Sequence, residues 1–567
     1  LSASAATVVT AKITPELFVD RDVRSASRTL IVAALALIIL VGFGFRAVNL
    51  GAEGLSEDEL NKLHAVEDYR AHGLTAANGE HPMLMKALLT VSVVGAEQWN
   101  SIVSSHPSLR ISTEAALRLP GAILGAFTSL LIFLVVSELF GIEVALIAAA
   151  LWALDPSGIS FNRIAKEDTF FLFFFLLANV FWLKGQRVAE SGEGRPKLYY
   201  WATAVGFGAM LASKYLPHFM AISGSYYYIF QGIPATRWRM GKKKWLIFFA
   251  IMGVAFVIFN PTILLPGTWH EMRVFAGEQR IGHDSYEFMG TLYRNQMTLW
   301  LKGSPWYFYY VFMGVKISLP VLLSFLIGLP LLFMKRLGDG RFFILFWLMY
   351  WFMPFTVMGG KFTRYFTMAL PVVLITSAIG IHFVAHWVAR RIGSLANNDS
   401  AKALVRACVV STVLIFPLVA SASISPYYRL YTNALGGGKE RAGSYFPHDE
   451  FYDARVREAV SEIASEARPR ARVASEAPGL ISYYGQLAGR NDLVPVSLSD
   501  KEAMKQFEAR DFVIVARGRR YFSNEAYVAR LEETSKPVAN ISLGGIPAIQ
   551  LYVLDDISLA AVAETLK

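Results

Sequence analysis

Apolar runs of about 17–25 residues, the length that crosses a bilayer, recur along the first three quarters of the chain. Runs starting near Thr29, Leu119, Ile142, Thr169, Tyr199, Tyr215, Trp245, Trp306, Phe342, Tyr365 and Ala403 predict about eleven spanning helices. One shorter apolar stretch, 83–94, follows Glu80-His81-Pro82 and carries Lys86. It is read as an interfacial or re-entrant helix, because a further span there would invert every later loop. After about Ser425 the pattern breaks into short β-rich pieces (472–475, 492–496, 512–516, 548–553) alternating with helix-like ones (452–467, 478–488, 524–533). That alternation predicts a small α/β domain. Gly436-Gly437-Gly438 reads as a flexible joint ahead of it.

Composition agrees with this division. Of 567 residues, 54% are hydrophobic and 17% charged, where a soluble chain carries roughly 25% charged residues. The apolar excess is lipid-facing surface. Aromatic residues, 13% of the chain, suit interfacial belts and sugar-stacking surfaces alike. The chain opens on Leu1, as after processing or trimming. No small-x-small cleavage site closely follows the first run, so it is read as a retained span. The single cysteine, Cys408, lies in an apolar run and excludes an intramolecular disulfide or a multi-cysteine metal site.

The net charge of +10 implies nucleic acid only until the cations are placed. Lys184, Arg187, Arg195 and Lys197 lie between the fourth and fifth spans, and Arg237, Arg239 and Lys242 to Lys244 between the sixth and seventh. Lys335, Arg336 and Arg341 follow the eighth, and Arg390, Arg391, Lys402 and Arg406 the tenth. Eleven spans put all four clusters on one side, together with an N-terminal tail over 1–28. The expected organisation is therefore a cytoplasmic tail, a membrane domain over 29–424 and an extracytoplasmic domain over 425–567. External loops cover 47–118 and 267–305.

The informative ionisable residues sit at external span ends, where burial near lipid makes them costly. Ser56-Glu57-Asp58-Glu59 fits a helix-capping box or a carboxylate base. Asp168 borders an apolar run and needs a cationic partner, for which Arg163 or Lys166 is at hand. Lys214-Tyr215 is a snorkelling lysine or a phosphate ligand. Lys361 and Arg364-Tyr365 place two cations against the charge bias, and a guanidinium grips phosphate oxygens bidentately. His270-Glu271 and His283-Asp284, with Glu287, match no tight metal spacing, and their loop is read as a flexible cover over substrate. Acids for an acceptor and cations for a phosphate leaving group are what sugar transfer from a lipid phosphate requires.

These pieces resemble the bacterial members of the dolichyl-phosphate-mannose–protein mannosyltransferase superfamily, which includes the aminoarabinose transferase of lipid A. The resemblance rests on Asp58-Glu59, Glu80-His81-Pro82 with Lys86, Arg163 with Asp168, Ala212-Ser213-Lys214-Tyr215, and Lys361 with Arg364-Tyr365 and Pro371. It covers about 29–385, and Met83 stands where the pattern has a second proline. It implies a GT-C fold of about eleven helices with a soluble external domain in the inner (plasma) membrane. The implied reaction is inverting single displacement from a polyprenyl-phosphate sugar, without a required cofactor. A divalent metal is compatible with such a site but not expected. The acceptor would be a protein hydroxyl, lipid A or a cell-envelope glycan. Asp58 is the candidate base, with Glu59 as neighbour or substitute and the extra acid Glu57 leaving the register open by one residue. Asp168 would orient the site. Lys214 and Arg364 would hold the donor phosphate with Lys361 assisting, and His81, Arg163, Tyr215, His283 and Tyr365 would line the substrate site.

Two other readings remain at this stage. A transporter or flippase of lipid-linked substrates would carry ionisable residues mid-span and two matching halves with broken helices, and neither is visible. A membrane scaffold leaves the external acids and cations unexplained. An oligosaccharide transferase is disfavoured because the tail has no Trp-Trp-Asp motif.

Overall fold

The computed structural model describes residues 28–192, 194–232, 238–277, 283–396 and 399–566. The predicted tail before residue 28 and Arg237 lie outside them. Among the described residues, sixteen α-helices precede the tail domain: α1 (Arg28–Ala47), α2 (Glu57–His72), α3 (Met83–Ile102), α4 (Thr113–Phe140), α5 (Ile142–Leu154), α6 (Pro156–Asn162), α7 (Glu167–Ser191) and α8 (Pro196–Leu211), then α9 (Met220–Gly232), α10 (Lys242–Phe259), α11 (Pro266–Gly277), α12 (Phe308–Lys316), α13 (Leu319–Leu331), α14 (Gly340–Val357), α15 (Leu370–Ala396) and α16 (Asp399–Ile424).

Each of the eleven predicted spans falls on a helix. Among the described residues, six helices are long and apolar enough to cross a membrane, or seven if α5 and α6, bent by 63°, form one broken span. Of the others, α10 is 18 residues long but opens on Lys242, Lys243 and Lys244, and several are shortened by local chemistry. Pro217 opens a 3₁₀ turn that delays α9 to Met220. The run predicted from Trp306 is cut into α12 and α13 at Ile317-Ser318, where Pro320 can only begin a helix. Lys316, buried at that break, pairs with Glu450 of the tail. The stretch 83–94 is the first half of α3, which packs against α2 and α4.

Small residues let the long helices approach closely. A Cβ on Gly328 of α13 would lie 2.0 Å from the Thr376 carbonyl, and one on Gly380 of α15 would lie 2.0 Å from that of Ser324. Gly206 of α8 meets Ala178 of α7 in the same way. In lipid, where apolar burial drives little association, such backbone contact is what holds helices together.

The tail folds as expected, around a sheet. A hairpin in the 267–305 loop comes first, β1 (Ser285–Phe288) with β2 (Thr291–Arg294). The tail strands are β3 (Arg472–Ala474), β4 (Val494–Val496), β5 (Phe512–Ala516), β6 (Ala539–Leu543) and β7 (Ile546–Val553), in the order β4-β3-β5-β7-β6. The pairs β3–β4 and β3–β5 are parallel, and β5–β7–β6 is antiparallel. Strand β6 went unpredicted although Ala539, Ile541 and Leu543 alternate with the outward Asn540 and Ser542, because the run is only five residues long. Helices α17 (Pro447–Phe451), α18 (Val456–Glu466) and α19 (Pro478–Leu487) join it to the membrane domain.

The glycine run is a correction. Gly436 is buried, and Gly437 and Gly438, at φ +84° and +60°, form tight turns rather than a joint. Asn433 caps them and donates from Nδ2 to the Gly314 and Ile317 carbonyls at the end of α12. The later external loop is likewise not a loose cover over its described part. Tyr286 of β1 is fully buried and donates to Asp449 Oδ2 at 2.6 Å, while Asp284 accepts from the Phe522 and Ser523 amides.

Candidate active site

Four connections, α1–α2, α6–α7, α8–α9 and α14–α15, meet at one end of the helix bundle, and the tail domain closes over them. Helix α2 starts on a capping box: Ser56 Oγ accepts from the Glu59 amide at 3.3 Å and Glu59 Oε2 accepts from the Ser56 amide at 3.0 Å. This geometry pushes Asp58, one position earlier, into the cleft.

The acids divide by exposure. Glu59 is 1% exposed, and both its oxygens are taken by Arg118 at 2.8 and 2.7 Å, with Oε1 also accepting from the Ala165 amide. Burial would raise its pKa, but the Arg118 guanidinium and the backbone donors bring it below the ordinary value. Glu59 therefore ties α2 to α4 and the 163–166 turn and has no oxygen left for a substrate, which corrects its expected role as a second base. Glu167 is buried against Lys62 at 2.7 Å and His81 at 3.6 Å. Asp168, 3% exposed, pairs with Lys214 at 2.6 Å, so its partner is neither Arg163 nor Lys166.

Asp58 is different. Its carboxylate keeps 37% exposure while Oδ2 meets Lys166 Nζ at 2.8 Å, the Tyr452 hydroxyl at 2.6 Å and Arg364 at 3.6 Å. Burial would raise its pKa, but Lys166 and Arg364, with the hydrogen bonds of Lys166 and Tyr452, hold it well below the usual range. Glu57 points away, to Arg519 at 3.3 Å and His283 at 3.6 Å. His283 stacks on Tyr521 at 4.0 Å and belongs to the joint between loop and tail.

The cations also divide. Arg364 lines an open cavity of about 450 Å³ with Arg429, Tyr452, Ser157 and Ser160. A second space of about 350 Å³, lined by Glu53, Arg118 and Arg163, continues from it and shares Ser160, Ile164, Tyr428 and Arg429. Burial lowers the Arg429 guanidinium to about 10, so it remains a cation at neutral pH, paired with Glu53. The Tyr365 ring lies between Lys214, 5.0 Å from its centroid, and Arg364, 5.7 Å.

Four expected ligands have their polar groups engaged by the protein itself. Lys361 is fully buried, pushed down to about 8 by that burial, and its ammonium donates to the Ser304 and Met358 carbonyls. It fastens the turn that presents Arg364. Arg163 donates to the carbonyls of Phe45, Arg46, Val48 and Asn49, satisfying the open end of α1. Tyr215 accepts from Asn260 at 3.1 Å and braces α10. His81 stays beside Glu167, and burial holds it well below its ordinary value, hence neutral.

Tyr452, Arg429, Asp453 and Arg519 were not found from the sequence. All come from the tail, which reads as a separate domain. Tyr452, Asp453 and Arg455 have φ of +48°, +61° and +74°, three left-handed residues within four positions and none of them glycine. Asp453 in it accepts from the Glu57 amide at 2.9 Å and pairs with Arg519. Such strain persists only where surrounding contacts impose it, here the hold on the start of α2.

Residues 104–265 match the model of the family described as dolichyl-phosphate-mannose-protein mannosyltransferase. That stretch, under a third of the chain, contains Arg163, Lys166, Asp168 and Lys214 but neither Asp58 nor Arg364. No curated protein matches the chain. Solved structures with a similar layout include ArnT from Cupriavidus metallidurans bound to undecaprenyl phosphate, at 13% identity and TM-score 0.47 over 92% of this chain and 97% of that one. The Archaeoglobus fulgidus oligosaccharyltransferase tethered to an acceptor peptide is 12% identical, TM-score 0.47, over 86% and 69%. The mycobacterial arabinofuranosyltransferase AftD is 13% identical, TM-score 0.43, over 93% and 40%. Likeness at this level is one of layout and assigns no residue of this chain a role.

Proposed function

We propose that this protein is a membrane glycosyltransferase that moves a sugar from a polyprenyl-phosphate carrier to an acceptor hydroxyl by inverting displacement. The observation that carries the reading is Asp58: a half-exposed carboxylate beside a cavity lined by two arginines. The family match over 104–265 supports a lipid-phosphate sugar as donor. The acceptor oxygen attacks the anomeric carbon, its proton passes to Asp58, and the bond to phosphate breaks with its electrons leaving on the polyprenyl phosphate. Arg364 and Arg429 offset the charge on that leaving group, so no general acid is needed. Lys214, held over Tyr365 and paired with Asp168, keeps the floor of the site in place.

A carboxylate held this far below its ordinary pKa is a weak base, and the donor itself relieves it. Arg364 is shared between Asp58 and the cavity. A phosphate that draws Arg364 onto itself removes one of the cations that depress Asp58, so the base strengthens when donor is bound. No cofactor enters this step. The sugar in this proposal is a mannose-like hexose or a modified pentose and the acceptor a protein Ser or Thr, lipid A or another envelope glycan; the family description supports the first of each. An inner-membrane location with the site facing outward is supported by the placement of the basic clusters.

The test is transfer of radiolabelled sugar from a synthetic polyprenyl-phosphate hexose in membranes. Wild type should label an acceptor fraction, and Asp58→Asn at equal protein level should lose at least a hundredfold in rate. Transfer that survives Asp58→Asn would remove Asp58 as base. Absence of transfer with hexose and aminopentose donors alike would overturn the enzymatic reading.

A further inference from the structure

At the start of α5 and midway along α15, about a dozen residues along each helix from the site, three side chains converge. Glu143 lies in the first turn of α5, and His382 and His386 lie one helical turn apart on α15. Glu143 Oε2 is 3.0 Å from His382 Nε2 and 2.9 Å from His386 Nε2, and the ligand atoms of all three lie within 4.8 Å of one another. The distance from Asp58's cleft is set by the helices: about a dozen residues at 1.5 Å each, or roughly 20 Å.

Hydrogen bonding alone leaves this group in conflict. For His386 to donate to Glu143, Nε2 must carry the proton. Arg406 of α16 presents an N–H to the same Nε2 at 3.2 Å, which asks for a lone pair there instead. No tautomer of His386 serves both. A cation placed between Oε2 and the two Nε2 atoms accepts a lone pair from each. Arg406 then retains its contact to Glu143 Oε1 at 3.2 Å, as the hydrogen-bond partner that ligating carboxylates usually keep. Bonds of about 2.0–2.1 Å at tetrahedral angles put ligand atoms roughly 3.4 Å apart, a few tenths beyond the carboxylate–imidazole spacings here.

The geometry points to a divalent transition-metal site made by Glu143, His382 and His386, of the two-imidazole, one-carboxylate type that Zn²⁺ favours over Mg²⁺ or Ca²⁺. Glu143 is 48% exposed, so protein does not cover the fourth position and the ion has a way in. Its effect is mechanical. The ion clamps α5, whose other end bends into α6 beside the cavity, to α15, whose other end follows Arg364. The site is independent of the proposed transferase activity.

The experiment uses the full chain purified in detergent, without a histidine tag and stripped with chelator. Zn²⁺ is titrated by calorimetry with Mg²⁺ as control, and thermal unfolding is followed with and without Zn²⁺. One equivalent should bind and raise the unfolding midpoint, and Mg²⁺ should do neither. His386→Gln and Glu143→Gln should each weaken binding at least tenfold and abolish the Zn²⁺-dependent shift. His386, 29% exposed, can be changed without opening the core, so loss of binding there is not loss of fold. Arg406→Ala removes a hydrogen bond from the ligating carboxylate but no ligand, so it should still bind one equivalent of Zn²⁺, more weakly than wild type. Binding unaffected by His386→Gln, or no binding by the wild type, would overturn the site and leave a hydrogen-bonded clamp.

Discussion

Asp58, Glu59 and Glu57 stand side by side in sequence, yet the fold sends them to three different neighbours. Helical geometry turns successive residues about 100° apart, so one faces Arg118, one the cavity and one the tail. Tyr452 is the contact that distinguishes the middle one. It is a positioning residue: from the cavity wall its hydroxyl donates to Asp58 and fixes the direction of the carboxylate. Tyr452→Phe removes a hydrogen bond to a charged group, worth about 1.5–3 kcal/mol, and leaves the carboxylate free to turn; the stronger base offsets part of that loss, so kcat should fall roughly threefold to tenfold. One of the influences that lower Asp58's pKa goes with it, so that pKa rises toward the ordinary range. The acid limb of the kcat/KM profile should therefore move to higher pH. A fall in kcat with an unmoved acid limb would make Tyr452 a packing residue only.

At the scale of elements, the bundle depends on residues without side chains. Ser324 and Gly328 on α13, like Thr376 and Gly380 on α15, are small residues four apart on one helix face. The Cβ of Gly380→Ala would press into the Ser324 carbonyl, so the helices must separate or tilt. Loss of about 1–3 kcal/mol is expected, read as a lower unfolding midpoint in detergent. Gly224→Ala, where a Cβ meets nothing, should leave the midpoint unchanged or raise it slightly, since alanine favours helix by about 1 kcal/mol. Equal effects at both positions would refute close packing as the cause. Because α15 follows directly on the turn bearing Arg364, Gly380→Ala should also weaken donor binding.

For the whole molecule, the tail is part of the site. Asp453 holds the start of α2 through the Glu57 amide while its carboxylate is paired with the buried Arg519. Breaking a buried pair by removing one partner leaves the other uncompensated, at a cost of about 3–5 kcal/mol. Arg519→Met should therefore loosen the tail, seen as faster proteolysis between α16 and the tail sheet, and Asp453→Asn in addition should partly restore it. The pH dependence has a definite sign. Burial would raise the Asp453 pKa, but Arg519 outweighs it and lowers the value. Docking is then at full strength above the ordinary aspartate range and is lost as pH falls through the depressed value. Proteolysis that slows on acidification would contradict this.

The one-dimensional pattern was enough for what depends on local composition and period. Spans announce themselves because lipid requires unbroken apolar runs. The alternation after residue 425 announces the α/β tail, and Ser56 with Glu59 announces the cap of α2. It also placed Asp58, Asp168, Lys214 and Arg364 at one end of the bundle, because alternating spans return every second connection to the same side. Tertiary structure alone decided who pairs with whom. Lys214 rather than Arg163 or Lys166 meets Asp168, Lys361 spends its charge on backbone carbonyls, and Tyr452 and Arg429 come nearly 400 residues along the chain from Asp58 and Glu53 to join the site. Pairing of charges depends on distance in space. A carboxylate bears the same formal charge wherever it stands in the chain, and only the packed fold sets which cation reaches it and whether water does too.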